Sequence, residues 1–159
     1  MLLISTAIYC QSNKVPPFRM MQSSGKVFKA EDLPIGNPII IIYFSPECDH
    51  CEKLVKEVDS RQKSLQKASI VFLTYLSLES VSKFENQNHF LKNKNIYTGT
   101  EINTFYFKNY YNIDEIPFVA LYTKEGDLIR KYTRPSSLDA LCSQVKKLKS
   151  SNKLKQSKR

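Results

Sequence analysis

The sequence has no tryptophan, no second close pair of cysteines, no apolar run long enough to cross a bilayer and no internal repeat. The missing run excludes a multi-span membrane protein, since the apolar start MLLISTAIYC is too short for even one span. The missing pair excludes an ordinary structural zinc site: Cys10 and Cys142 stand alone, and His50 and His89 lack zinc-finger spacing. Acidic residues are absent from Lys146 to Arg159, where seven lysines and arginines lie. That stretch supplies seven of the nine net positive charges and leaves +2 for residues 1–145, so no nucleic-acid-binding surface is implied. What is present is ordinary for one globular domain with a substantial core: 159 residues, 42% hydrophobic and 25% charged.

The ends carry separate signals. Residues 1–15 read as a signal or export remnant, although no Lys or Arg precedes the apolar stretch and a cut before Gln11 would leave Ile8 and Cys10 where small residues are preferred. A lipid-attachment reading of Cys10 has Tyr9 where a small residue is wanted. A buried first strand is opposed by the polar QSNK and by Pro16-Pro17. The expectation is an exported, periplasmic or cell-envelope protein, and otherwise a cytoplasmic one. Residues 16–149 form the expected domain. Residues 150–159 read as a basic disordered tail, with proximity to a membrane surface as its alternative use.

Within the domain, strands and helices alternate. A turn at Ser24-Gly25 leads to a short extended piece with Val27 and Phe28. Ile39 to Phe44 is a continuous β-branched and aromatic run, the pattern of a strand buried on both faces. Leu54, Val55, Val58 and Leu65 then mark an amphipathic helix over Asp49–Lys67. Ser69–Leu78 reads as a second buried strand and Glu79–Asn93 as a helix carrying Val81, Phe84 and Leu91 inward. The segment Ile96–Asn112 is expected to hold a short aromatic helix. Pro117–Thr123 and Leu128–Thr133 form a hairpin around KEGD, and a helix over Ser136–Leu148 closes the fold with Ser136 or Ser137 as its N-cap. This order predicts an α/β protein, a central mixed sheet flanked by helices.

The chemistry concentrates in FSPECDHCE, Phe44 to Glu52, where a Cys-x-x-Cys pair sits at a strand-to-helix junction. Cys48 lands at the helix N-terminus, where orphan amides and the positive dipole end stabilise a thiolate. Cys51, one turn on and further in, can attack a mixed disulfide on Cys48 and resolve it. A protonated His50 would stabilise the reduced form and make the disulfide a better oxidant; Glu47 and Asp49 push the other way. Two other chemistries are weighed. Ser45-x-x-Cys48 is half of a peroxiredoxin pattern, whose proline four residues earlier is Ile41 here. Copper binding would need both cysteines and a distant histidine, for which His89 is the candidate.

On these residues the chain resembles the thioredoxin superfamily, nearest its TlpA-like thiol-disulfide oxidoreductases. The stretches that carry the likeness are PPF…SSGKVF…DLPIGNP, IIIIYFSPECDHC and YYNIDEIPFVALYTKEGDLIRKY. The resemblance implies a thioredoxin-like fold with an N-terminal extension and a central helical insert. The insert fits the 66 positions between Cys51 and Pro117. The resemblance further implies that Pro117 is a cis proline facing the redox pair, with the Ile116 backbone offered to an extended substrate. Catalytic roles fall to Cys48, Cys51 and Pro117. No cofactor and no metal are called for. The expected partners are protein thiols or disulfides and an upstream redox partner, met by a monomer. This chain departs from the family at Glu47, often Trp; at Ile42, where a buried acid occurs; and at Leu54, a glutamate in some relatives. Glu47, Glu52 or water must therefore take the Cys51 proton. A thioredoxin-fold binding module with a merely structural disulfide is the non-catalytic alternative.

Overall fold

The computed structural model describes residues 13–103 and 105–156, with side chains as far as Leu148. The expectations resting on residues 1–12, including Cys10 and the export remnant, lie outside the described residues. Residues 13–15, which the sequence placed before the domain, reach the turn at Gly126 and Asp127. The Val15 N–H donates to the Gly126 carbonyl at 2.9 Å, and Lys14 forms an ion pair with Asp127 at 2.7 Å.

Among the described residues, seven strands form one mixed sheet. In chain order they are β1 (Arg19–Met21), β2 (Val27–Lys29), β3 (Ile39–Tyr43), β4 (Ser69–Thr74), β5 (Ile96–Glu101), β6 (Phe118–Tyr122) and β7 (Leu128–Thr133). Across the sheet the order is β2-β1-β5-β4-β3-β6-β7. The pairs β3–β4 and β4–β5 are parallel; the remaining pairs are antiparallel. All five residues of β3 are buried, as an unbroken isoleucine run requires of a central strand.

Among the described residues, five α-helices cover the sheet: α1 (Asp49–Ser60), α2 (Gln62–Leu65), α3 (Leu78–Gln87), α4 (Tyr106–Tyr111) and α5 (Asp139–Gln156). Because side chains alternate along a strand, β3 supplies two cores. Ile40 and Ile42 pack with Leu54, Val55, Phe72, Phe84, Leu141 and Val145 on one face. Ile39, Ile41 and Tyr43 pack with Phe18, Met20, Phe107 and Tyr122 on the other.

Several expected boundaries move. The helix expected over Asp49–Lys67 breaks at Arg61, whose φ of −106° and ψ of 13° leave the helical region while its guanidinium reaches Asp139 on α5 at 2.6 Å. The strand expected to reach Leu78 stops at Thr74, because the Ser77 hydroxyl accepts the Ser80 N–H and caps α3. The helix expected over Glu79–Asn93 ends at Gln87, and a 3-10 turn over His89–Lys92 brings Leu91 into the core. Ser137 accepts the Asp139 N–H at 3.1 Å, while Glu57 of α1 accepts the Leu138 N–H at 2.7 Å. The backbone of α5 continues past residue 150, where a tail was expected, to Gln156.

Strands β1 and β5 were not anticipated. The first is only three residues long, and the second, IYTGTE, mixes threonines with a glycine. That glycine has a steric cause: a Cβ on Gly99 would come within 2.7 Å of the Met21 carbonyl oxygen on β1.

Candidate active site

Register brings the site together. Tyr43, the last residue of β3, lies opposite Phe118, the first residue of its antiparallel neighbour β6. The loop that leaves β3 toward the cysteines and the loop that enters β6 through Pro117 therefore share one edge of the sheet. Tyr43 and Phe118, far apart in sequence, become neighbours across two adjacent strands. The Ile116–Pro117 bond is cis, as the resemblance implied, and Pro117 is buried.

The redox loop is built from Ser45. Its hydroxyl accepts the Glu47 N–H at 3.2 Å and its carbonyl accepts the Cys48 N–H at 3.2 Å, which closes a tight turn. Cys48 follows as the N-cap of α1 with extended φ and ψ of −108° and 121°, and its carbonyl accepts the Glu52 N–H. Its side chain makes no capping bond to the helix. Both cysteines are free thiols: Cys48 is half-buried and Cys51 is fully buried.

Burial pushes the Cys51 thiol up to about 12; a backbone hydrogen bond with Ser45 pulls the other way, and the Cys48 thiol beside it adds to the rise. Cys51 belongs to an apolar cluster that includes Leu54, Val55, Ile42 and Phe44. A cavity of about 430 Å³ lined by Ser45, Pro46, Cys51, Glu52, Lys56 and Asn88 adjoins this thiol. Glu52 is held below its ordinary value by Lys56, 2.6 Å away, and so stays a carboxylate at the cavity wall.

Glu47, Asp49 and His50 are exposed, and Ile116 is half-buried between the two cores. His50 and Pro117 line one groove of about 520 Å³ with Lys53, Glu115, Arg134, Pro135 and Ser136. Arg134 and Glu115 were missed by sequence reasoning. The guanidinium of Arg134 lies 2.9 Å from His50 Nε2 and 3.1 Å from Glu115 Oε1, and its backbone N–H donates to the Pro117 carbonyl at 2.8 Å. The signal that would have found Arg134 is hairpin register: Thr133 pairs with Phe118, so residue 134 falls opposite the cis proline.

His89, the candidate distant histidine for copper, lies exposed on the 3-10 turn after α3. Among the described residues, no three His, Cys, Asp or Glu side chains gather as metal ligands would. Among the described residues, no helix is long and apolar enough to cross a membrane.

The Thioredoxin-like domain family model matches residues 27–146, three quarters of the chain, and the chain belongs to that family. Solved structures of similar fold include a thiol:disulfide interchange protein of the thioredoxin family from Chlorobium tepidum, at 19% identity and TM-score 0.67, with 85% of this chain and 94% of that one covered. A second is a secreted Mycobacterium tuberculosis disulfide oxidoreductase, at 16% identity and TM-score 0.64, covering 81% and 94%. A third is the exposed lipoprotein thioredoxin of Streptococcus pneumoniae, at 19% identity and TM-score 0.63, covering 82% and 98%. At these identities the likeness is one of fold. Among curated proteins none matches in sequence.

Proposed function

We propose that the protein exchanges disulfides with protein substrates through Cys48 and Cys51. The observation that carries this reading is the asymmetry of the pair: a half-exposed thiol at a helix N-terminus directly above a fully buried one whose proton is held tightly. The Cys48 thiolate attacks one sulfur of a substrate disulfide, the substrate S–S bond breaks, and the departing sulfur takes a proton. The Cys51 thiol then gives up its proton and its sulfur attacks Cys48. The mixed disulfide breaks, and the second substrate sulfur leaves as a thiol. Two electrons have passed to the substrate, and a Cys48–Cys51 disulfide remains. The same steps in reverse oxidise a substrate dithiol.

The buried position of Cys51 supports this order. An incoming disulfide meets Cys48 first, and Cys51 acts only after Cys48 is occupied. The cis Pro117 loop shares the sheet edge with Cys48, which supports Ile116 as the backbone that an extended substrate would pair with. The descriptions of two similar structures as a secreted protein and a lipoprotein support an exported location for this one.

The test is trapping. Cys51→Ser should accumulate mixed disulfides on Cys48 with reducible protein substrates, whereas Cys48→Ser should form none. Limited alkylation of the reduced native protein at neutral pH should label Cys48 and leave Cys51 unmodified. Labelling of Cys51 first, or an absence of adducts in the Cys51 variant, would remove the assignment.

A further inference from the structure

Among the described residues three large hydrophobic side chains are exposed: Ile35, Leu78 and Phe105. Ile35 lies in the turn before β3, at the edge of the sheet opposite the cysteines. Leu78 opens α3 just after β4, and Phe105 follows β5. Because β3, β4 and β5 run parallel, all three strands end at the edge where the redox loop begins. Leu78 and Phe105 therefore stand on the same edge as Cys48 and the cis proline.

Phe105 is held there against its own preference. Its φ of +60° and ψ of 16° lie in the left-handed region that a residue bearing a Cβ rarely adopts, and it is the N-cap of α4, a position that ordinarily takes extended backbone. Two anchors impose the turn. The carboxylate of the buried Glu101 accepts the Phe107 N–H and a backbone hydrogen bond from Phe105, while the Phe105 carbonyl accepts the Asn109 N–H at 2.9 Å. A glycine would relax this conformation, yet the chain places here a phenylalanine that is 40% exposed. Strained residues fixed by their surroundings cluster at functional sites. The ring is also braced from below. It packs on Tyr75 with centroids 5.4 Å apart, and Tyr75 packs at 6.0 Å on the fully buried Tyr43, the last residue of β3. The exposed Lys108 ammonium stands 5.5 Å from the Phe105 centroid, a surface cation–π contact weak enough to give way to an apolar side chain.

We propose that Phe105 and Tyr75 form a specificity subsite of the exchange site, an aromatic platform that takes an apolar side chain of the protein substrate. The occupant is the substrate chain itself, because the platform is continuous with the edge at which the substrate's reacting sulfur must be held. Adjacent strands lie about 4.8 Å apart, so the ends of β3 and β5 are about 10 Å apart, which an extended chain rising about 3.3 Å per residue spans in about three residues. The substrate class is a polypeptide with an aromatic or large aliphatic residue about three to five positions from its reacting cysteine. This rests on the thiol-disulfide reading, and the test separates the two. A phenylalanine that served only to shield Tyr75 would affect stability without discriminating between substrates.

The experiment reacts the reduced protein with symmetric disulfides of short single-cysteine peptides that carry Phe or Ser about three, four or five positions from the cysteine. Two electrons pass from the protein to the peptide disulfide, giving two peptide thiols and the Cys48–Cys51 disulfide. Each second-order rate constant is divided by the same protein's constant with hydroxyethyl disulfide, which carries no side chain for the platform. In the wild type the Phe peptide should react roughly three- to tenfold faster than its Ser counterpart at one or more of these offsets, the worth of one aromatic contact. Phe105→Ser should bring that ratio close to one. Phe105→Gly, whose residue suits the left-handed turn, should do the same and answers the case in which the serine variant does not fold. A ratio near one in the wild type, or a ratio unchanged in both variants, would overturn the proposal. Self-association of the wild type in sedimentation that Phe105→Ser abolishes would give the platform to a second copy of the chain and overturn it equally. No reaction of the wild type with hydroxyethyl disulfide would instead remove the exchange reading, and the subsite with it.

Discussion

Ile40 and Ile42 point into a core of aliphatic side chains and phenylalanines, whereas Ile39, Ile41 and Tyr43 of the same strand point into a core crowded with tyrosines. The first face, under α1 and α5, holds both Cys51 and Cys142. The second binds its polar atoms to one another. The Tyr43 hydroxyl donates to Glu101 at 3.1 Å, Glu101 also accepts the Phe107 N–H at 2.6 Å, and the Tyr111 and Tyr122 hydroxyls meet at 2.5 Å. The difference assigns separate tasks. Burial on the first face keeps the Cys51 thiol protonated, while the hydrogen-bonded face fixes the short helix α4 against the sheet.

The largest expected effects come from emptying either face. Phe72 is fully buried against Phe44, Phe84 and Phe90, and Phe107 is fully buried against Tyr43, Tyr111 and Phe118. Phe72→Ala and Phe107→Ala should each cost about 3–5 kcal/mol in denaturant unfolding. They should part company in pH dependence. Removing the Phe107 ring opens the neighbourhood of Tyr43 and Glu101 to water, so only that variant should flatten the response of stability to pH. Equal pH profiles for the two variants would mean that the faces are not chemically distinct.

The next effect is the titration itself. Burial raises Glu101 above its ordinary value of 4.5, against the pull of its hydrogen bonds from Phe107 and Tyr43. The folded state therefore holds this proton at a pH where the unfolded chain has lost it. The resulting stability is fully present below the unfolded value and is lost as pH rises from there through the folded one. Acidifying from neutral toward pH 4.5 should recover it in the wild type, and Glu101→Gln should lack that part of the slope. Midpoints of urea unfolding at several pH values measure the difference, and an unchanged slope in the variant would place the acid response elsewhere.

How far these faces could be read in advance depends on whether the signal is local. The isoleucine run, the Cys-x-x-Cys at a strand end and the Gly-containing hairpin turn are local patterns, and they located β3, α1, β6 and β7. Strand β5 was not legible, because its polar threonines and Gly99 make sense only once β1 lies across it. The break at Arg61 depends on Asp139, 78 positions away, and the contact between Arg134 and His50 spans 84. For the same reason no sequence pattern singles out Glu101, which is buried and accepts a hydrogen bond from Tyr43 on a distant strand. Chemistry that the chain writes in one place was visible, and chemistry assembled by register was not.

The smallest effect tests the comparison most finely, since it applies one substitution to both faces and expects opposite signs. Tyr122→Phe deletes a hydroxyl that is paired with Tyr111 and leaves the latter without that partner. Burial has already raised Tyr111 to about 12, so its hydroxyl stays protonated and in need of a hydrogen bond. A loss of about 1 kcal/mol is expected. Tyr132 on β7 packs against the redox-side core, and its buried hydroxyl has no hydrogen-bond partner among the described residues. Tyr132→Phe removes an unsatisfied polar atom, keeps the ring that Arg130 covers at 5.9 Å, and should gain about 1 kcal/mol. Thermal or urea unfolding of the two variants at one pH decides the matter. If both lose stability, the redox-side face is not the dry surface that its composition describes, and the high value of Cys51 needs a cause other than burial.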